Sequence, residues 1–214
     1  VLAKALAARG GFARTVRFVL FTAEEVGLQG SSAYVDALAE SGEDVALMLQ
    51  LDPVGYNGAG ADRLWFAYDG RWPELPGFVD DAAEELGSWL SVQGVSEALI
   101  GGDDRSDHYP FWQAGMPALH FGAFPPPPDY HKTTDTMDGV DQAFLAEVTR
   151  VILRVTLGAI EPRELPRTQE PEEEPQGAGC GGAGASIART PGPVGLSLAP
   201  LLPVALARRR RRAR

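Results

Sequence analysis

Apolar positions along the chain fall into two kinds of pattern. Short continuous runs, Val16-Arg-Phe-Val-Leu-Phe21, Val45-Ala-Leu-Met-Leu-Gln-Leu51, Arg63-Leu-Trp-Phe-Ala-Tyr68 and Met116-Pro-Ala-Leu-His-Phe121, are aliphatic and aromatic and are bounded by turn residues. They predict mostly buried strands of the kind that build parallel sheets. Elsewhere apolar residues recur near the 3.6-residue period over Leu75 to Leu90 and Gln142 to Ile160, and Ser31 stands as an N-cap before roughly Ala33 to Glu40. These predict helices. Val1 to Arg9 favours helix and is ended by Gly10-Gly11, yet it carries neither a start methionine nor an N-cap. It reads as the back half of a helix, and predicts a chain truncated at its N-terminus. The alternation of strand and helix gives a three-layer α/β pattern.

The pattern stops at Ile160, which closes a predicted domain over residues 1–160. Glu161-Pro-Arg-Glu-Leu-Pro166 and Glu170-Pro-Glu-Glu-Glu-Pro175 have too little apolar surface for a core and predict an extended acidic linker over residues 161–179. Residues 180–214 hold Cys180 in a glycine-rich context, an apolar stretch from Val194 to Ala207 broken by Pro200 and Pro203, and the run Arg208 to Arg212. As helix that stretch would reach about 21 Å against about 30 Å of hydrocarbon, which is short for a span. Its order, apolar and then polyarginine, is nevertheless that of a cytoplasmic stop. No internal repeat is present.

Charge and cysteine content narrow the chemistry. The formal charge is −10 and is more negative without the terminal arginines, which excludes a general nucleic-acid binder. Cys180 is the single cysteine, so the chain forms no internal disulfide and no cysteine-rich zinc site. A metal would have to be held by His, Asp and Glu.

Such residues stand where an open α/β sheet binds ligands, at the carboxyl ends of strands. Glu24-Glu25 follows the run ending at Phe21 and Asp52 follows the run ending at Leu51, so three acids converge on one sheet edge and call for a cation. His131 lies on a loop stiffened by Pro125 to Pro128, whose fixed φ angles place an imidazole accurately. With Asp135 near enough to fix its tautomer, it completes an Asp/Glu/His set suited to zinc. Asp107-His108 adds a second acid–imidazole pair, but with no G-x-S-x-G elbow the chain lacks the parts of a serine hydrolase.

Thr15 to Tyr34 (with Phe21-Thr-Ala-Glu-Glu-Val-Gly27), Leu51-Asp-Pro-Val-Gly55, Ser106-Asp-His-Tyr-Pro-Phe111 with Gly115-Met-Pro-Ala118, and Tyr130-His-Lys-Thr-Thr-Asp-Thr136 together resemble the co-catalytic dizinc aminopeptidases of peptidase clan MH, of the aminopeptidase S and aminopeptidase Y type. The resemblance implies an αβα sandwich on a mixed, mostly parallel sheet. It implies two zinc ions, Glu24 as general base, Glu25 and His131 as ligands of one ion, and Asp52 as a ligand of the other. Tyr130 matches a position from which some members stabilise the oxyanion, and Asp107 and His108 sit near the substrate pocket. The implied substrate is a peptide or protein N-terminus. The family's further His ligand and bridging Asp, carried upstream of the helix ending near Arg9, are absent from this sequence, so the chain alone is expected to be inactive. Asp52-Pro53 also replaces the commoner Asp-Met.

Residues 180–214 resemble the sorting tails of some secreted bacterial proteins (MYXO-CTERM type), which implies a secreted or cell-surface location, possible membrane anchoring, and Cys180 as the processing or lipid-attachment point. A peptidase fold kept as a non-catalytic binding module is the alternative reading, and a carboxypeptidase or glutaminyl cyclase activity is a third.

Overall fold

The computed structural model describes residues 1–97 and 105–161, with Ala59 described by its backbone alone. The segments 161–179 beyond Glu161, expected as an acidic linker, and 180–214 with Cys180, expected as a sorting tail, lie outside the described residues.

Helix α1 (Leu2–Arg9) ends at Gly10, whose φ of 60° suits a residue without Cβ. α2 (Gln29–Ser41) starts after Leu28 in the left-handed region. β1 (Met48–Leu51), β2 (Arg63–Tyr68), α3 (Leu75–Glu85), β3 (Ser91–Ser96), the single turn α4 (Tyr109–Gln113), β4 (Ala118–Gly122) and α5 (Gln142–Ile160) follow. α3 carries proline in its first turn, where no intrahelical donor is lost. α5 is fixed at its start by Asp141, whose carboxylate accepts the Phe144 N–H at 3.0 Å. That bond, with another from the Asn57 amide, holds the Asp141 carboxyl below its ordinary range.

The four strands lie in the order β1-β4-β2-β3. β1 runs parallel to β4, β3 parallel to β2, and β4 antiparallel to β2. The expected α/β fold with a mixed, mostly parallel sheet is therefore present. β4 lies between β1 and β2 and is the most buried strand, with Ala118, Leu119 and Phe121 fully enclosed. Phe121 lies opposite Phe66 on β2, their ring centres 5.7 Å apart. α3 packs against α5, and α2 against α4. Val79 of α3 and Val148, Val151 and Val155 of α5 share the core with Leu119 and Phe121. His120, pointing to the opposite face from its neighbours in the strand, stacks on His108 just before α4.

Several boundaries move. The helix read to Leu90 stops at Glu85, and α2 begins at Gln29 with Ser31 inside it, its hydroxyl donating to the Leu28 carbonyl at 3.1 Å. β3, unforeseen, is short of apolar residues. The larger correction concerns Val16 to Phe21. Among the described residues it joins no strand ladder, and Phe18 and Leu20 are 56% and 98% exposed. The segment rests on one layer only. Phe21 meets Tyr34 of α2 at 5.7 Å and Phe111 of α4 at 6.3 Å, and Arg17 donates to Tyr34 and to Glu43. An apolar run of this kind is buried on both sides only when it sits within a sheet, and its hydropathy was read as though it did.

Because β4 carries the core and adjoins the Asp52 end of β1, we expect Leu119→Ala to cost about 2–5 kcal/mol. Urea denaturation, read as a shift in midpoint with unchanged slope, measures it.

Candidate metal centre

Asp52 is placed by backbone before it is placed by side chain. Its N–H continues the β1–β4 ladder by donating to the Phe121 carbonyl at 2.9 Å. Its own carbonyl lies 2.8 Å from His120 Nε2, so that nitrogen carries the imidazole proton. Glycine at 122 on the neighbouring strand relieves crowding there, because a Cβ would stand 3.0 Å from the Asp52 carbonyl oxygen and force a small shift. The carboxylate accepts the Ser106 hydroxyl proton at 3.3 Å, and Ser106 in turn accepts from the Gln50 amide at 3.2 Å.

Glu24 and Glu25 sit on the single turn Glu24–Val26, entered through Ala23 at φ 59° and left through Gly27 at φ 101° and Leu28 at φ 55°. Two non-glycine residues in the left-handed region cost roughly 1–2 kcal/mol each. The turn is tied to α2 by the N–H groups of Gly27 and Leu28 on the Glu24 carbonyl and of Gly30 on the Thr22 carbonyl. A Cβ at Gly30 would come within 2.4 Å of that Thr22 oxygen, so only glycine permits this closeness.

His131 is also left-handed, at φ 59°, with its ring stacked on Tyr130 at 3.8 Å. Its Nε2 reaches Glu25 Oε1 at 2.9 Å, with both side chains more than half exposed. Asp135, expected to orient His131, makes no hydrogen bond to it; its N–H donates to the Lys132 carbonyl. Asp107 and His108 are buried. His108 is held between the His120 ring at 4.5 Å and the edge of Trp112 at 4.3 Å. Asp107 Oδ1 has no hydrogen-bond partner.

The charges of these residues act on one another. Partial burial raises the Glu24 carboxyl above its ordinary range, and Glu25, Asp52 and Asp107 push it further, against a smaller opposing effect of His131. Burial likewise raises the Tyr130 phenol, helped by Asp52, Glu25 and Glu24 and opposed by Arg105. Glu24, Glu25, Asp52, Asp107, Tyr130 and His131 thus form one electrostatic neighbourhood. Sequence reasoning missed Gln50, Ser106 and His120. The first and last were visible as polar residues inside otherwise apolar runs, whereas Ser106 stood at the head of the Ser106 to Phe111 block with nothing local to link it to Asp52.

The donor types, carboxylate oxygen and imidazole nitrogen, suit zinc. Donors of one tetrahedral ion stand about 3.4 Å apart for bonds near 2.1 Å, so the Glu25–His131 pair is about half an ångström from that spacing. Among the described residues, no three His, Cys, Asp or Glu side chains form one ligand group. The set fits in kind and falls short in number.

Comparison with known proteins agrees with this chemistry. The profile of Peptidase family M28 matches residues 1–156. Aminopeptidase YwaD of Bacillus subtilis (strain 168) is 30% identical over 164 residues, covering 72% of this chain and 34% of that protein. The structure of BSAP, a zinc aminopeptidase from Bacillus subtilis, superposes with a TM-score of 0.53 at 27% identity, over 66% of this chain and 35% of that one. LapA aminopeptidase of Legionella pneumophila gives 0.63 at 22% identity, over 73% and 42%, a likeness of fold. The chain spans about a third of the length of the curated relative it matches.

A carboxyl whose pKa is raised in the folded state binds its proton more readily there than in the unfolded chain, so its contribution to stability declines as pH rises through the folded value. We expect metal-free Glu24→Gln to melt higher than the parent at pH 7. The difference should vanish once both are titrated below the ordinary glutamate range. Thermal melts across pH test this, and a glutamine variant less stable at pH 7 would refute it.

Proposed function

The chain belongs to Peptidase family M28, and on that premise we propose that it is part of a zinc-dependent exopeptidase, an aminopeptidase that releases the N-terminal residue of a peptide. The observation that carries this reading is the 2.9 Å approach of His131 Nε2 to Glu25 Oε1, in the electrostatic neighbourhood of Asp52 and of Glu24, whose carboxyl is raised by burial and by those acids. Glu25 and His131 would hold one zinc ion and Asp52 a second, with the remaining ligands supplied from outside the described residues. Bound zinc supplies Lewis acidity and a water acidic enough to be deprotonated near neutral pH.

The rest is work for the chain's own groups. Glu24 accepts the proton of the attacking water and delivers it to the leaving amine, a shuttle suited to a carboxyl whose pKa is raised towards the working range. Tyr130 has its phenol raised further above neutrality, so it stays protonated and donates to the oxygen on which negative charge develops. Gln50 and Ser106 fix the orientation of Asp52, as hydrogen-bonded partners behind metal ligands do. Asp107 and His108 back the substrate pocket.

The rival reading is a peptidase fold retained for binding without catalysis. Zinc content and turnover of the intact protein separate the two. Residues 180–214 are proposed as an export or anchoring tail, processed at Cys180 and joined to the domain by the linker at 161–179. That assignment would set the enzyme outside the cell or on its surface. Among the described residues no helix is long and apolar enough to cross a membrane.

In the intact protein, Glu24→Gln should lower turnover of leucine nitroanilide about 10²–10⁴-fold with zinc content unchanged. Asp52→Ala and His131→Ala should each lose bound zinc, measured by atomic emission. Full turnover in Glu24→Gln would remove the base assignment.

A further inference from the structure

Arg105 stands at the edge of this site without a partner among the described residues. Arginines elsewhere in the described residues are engaged. Arg9 pairs with Glu161, Arg17 with Glu43, Arg71 with Asp69, Arg150 with Glu147 and Arg154 with Glu85. Arg14 donates to the Ala159 carbonyl, and Arg63 lies over the Trp65 ring. Arg105 is exposed and makes no hydrogen bond, ion pair or ring contact with any described residue, although Tyr130, whose phenol it faces electrostatically, also lies close to the charges of Asp52, Glu25 and Glu24. The next cation along the rim, Lys132, already donates to the Pro128 carbonyl at 2.6 Å.

Its location is set by its neighbour. Ser106 is buried, with its hydroxyl 3.3 Å from Asp52 Oδ2, and consecutive Cα atoms are about 3.8 Å apart. The Arg105 backbone is therefore anchored at the wall of the site while its side chain remains in solvent. The charge of Arg105 is felt at the Tyr130 phenol, the group assigned to the scissile carbonyl. A guanidinium offers a fork of donors matched to a carboxylate.

From this arrangement we propose that Arg105 receives the C-terminal carboxylate of a dipeptide, on the leaving-group side of the scissile bond, and so biases the enzyme towards dipeptides. The proposal rests on the peptidase reading above and names its substrate class. In a dipeptide the carboxylate lies one residue beyond the scissile carbonyl, and each added residue carries it about 3.5 Å further in an extended chain. Tripeptides should therefore lose the contact.

Equilibrium binding of Leu-Gly, Leu-glycinamide and Leu-Gly-Gly to the intact zinc-loaded protein, measured by calorimetry in a Glu24→Gln background to prevent turnover, tests this directly. The free dipeptide should bind about two- to fivefold more tightly than its amide, a preference that weakens with added salt. Arg105→Gln should abolish the preference, Arg105→Lys should retain part of it, and the tripeptide should bind like the amide. Equal affinity for acid and amide, binding of neither, or an unchanged preference in Arg105→Gln overturns the proposal. Failure of the peptidase reading appears separately, as absence of leucine release by the protein with Glu24 intact while the binding preference still follows Arg105.

Discussion

The junction at Asp52 is the constraint on which the site depends. One residue closes the β1–β4 ladder through its N–H, receives the His120 imidazole on its carbonyl and the Ser106 hydroxyl on its carboxylate. The backbone partners Phe121 and His120 are adjacent on β4, and the carboxylate's partner comes from elsewhere in the chain. His120 belongs to the central strand, and Ser106 to the segment leading into α4. The position of the carboxylate is thereby inherited from the most rigid part of the fold. His108, stacked on His120 and against Trp112, extends that rigidity into the helical layer. Glycine at 122 lets β4 approach this closely without crowding the Asp52 carbonyl.

The same site opposes folding. Burial, and then the charges of Glu25, Asp52 and Asp107, disfavour the ionised form of Glu24. Backbone strain adds to this at Ala23, Leu28 and His131, all left-handed without being glycine. These costs gather where a cation would relieve the repulsion and where geometry must be held against it. Core burial in β4, α3 and α5 offsets them, which is why a single deletion there matters more than one at the exposed rim.

How much the sequence disclosed followed from how local each determinant is. β2 and α5 were read to their ends because periodicity and capping are written in adjacent residues, and Asp141 caps α5 from within the same segment. β3 was missed because Gly94 and its serines give no strand signal, the strand being held by its register with β2 and by the Phe66 ring filling the space a Cβ at 94 would need. Val16 to Phe21 was over-read because hydropathy reports a tendency to be buried and not the partner that buries it. The acids and His131 were legible as chemistry at predicted strand ends and in a proline-stiffened loop. The link from Gln50 through Ser106 to Asp52 was not, since a serine 54 positions away leaves no mark in local pattern. The Asp135 expectation failed for the same reason in reverse, as closeness along the chain did not become a hydrogen bond.

Two modes of precision meet at this centre. Asp52 is positioned by strand register and burial, whereas Glu25 and His131 remain more than half exposed and cannot be held by packing of their own side chains. Their placement must come from the backbone: a turn locked onto α2 at Gly30 for one, and a left-handed residue after a run of prolines for the other. Backbone devices of this kind fix where a side chain starts but leave its end free to adjust. A pair already 2.9 Å apart needs only a small adjustment to share an ion, while Asp52, deeper and triply bonded, supplies the fixed reference. An anion receptor at Arg105, the residue before the Ser106 that bonds Asp52, inherits its accuracy from the same anchor.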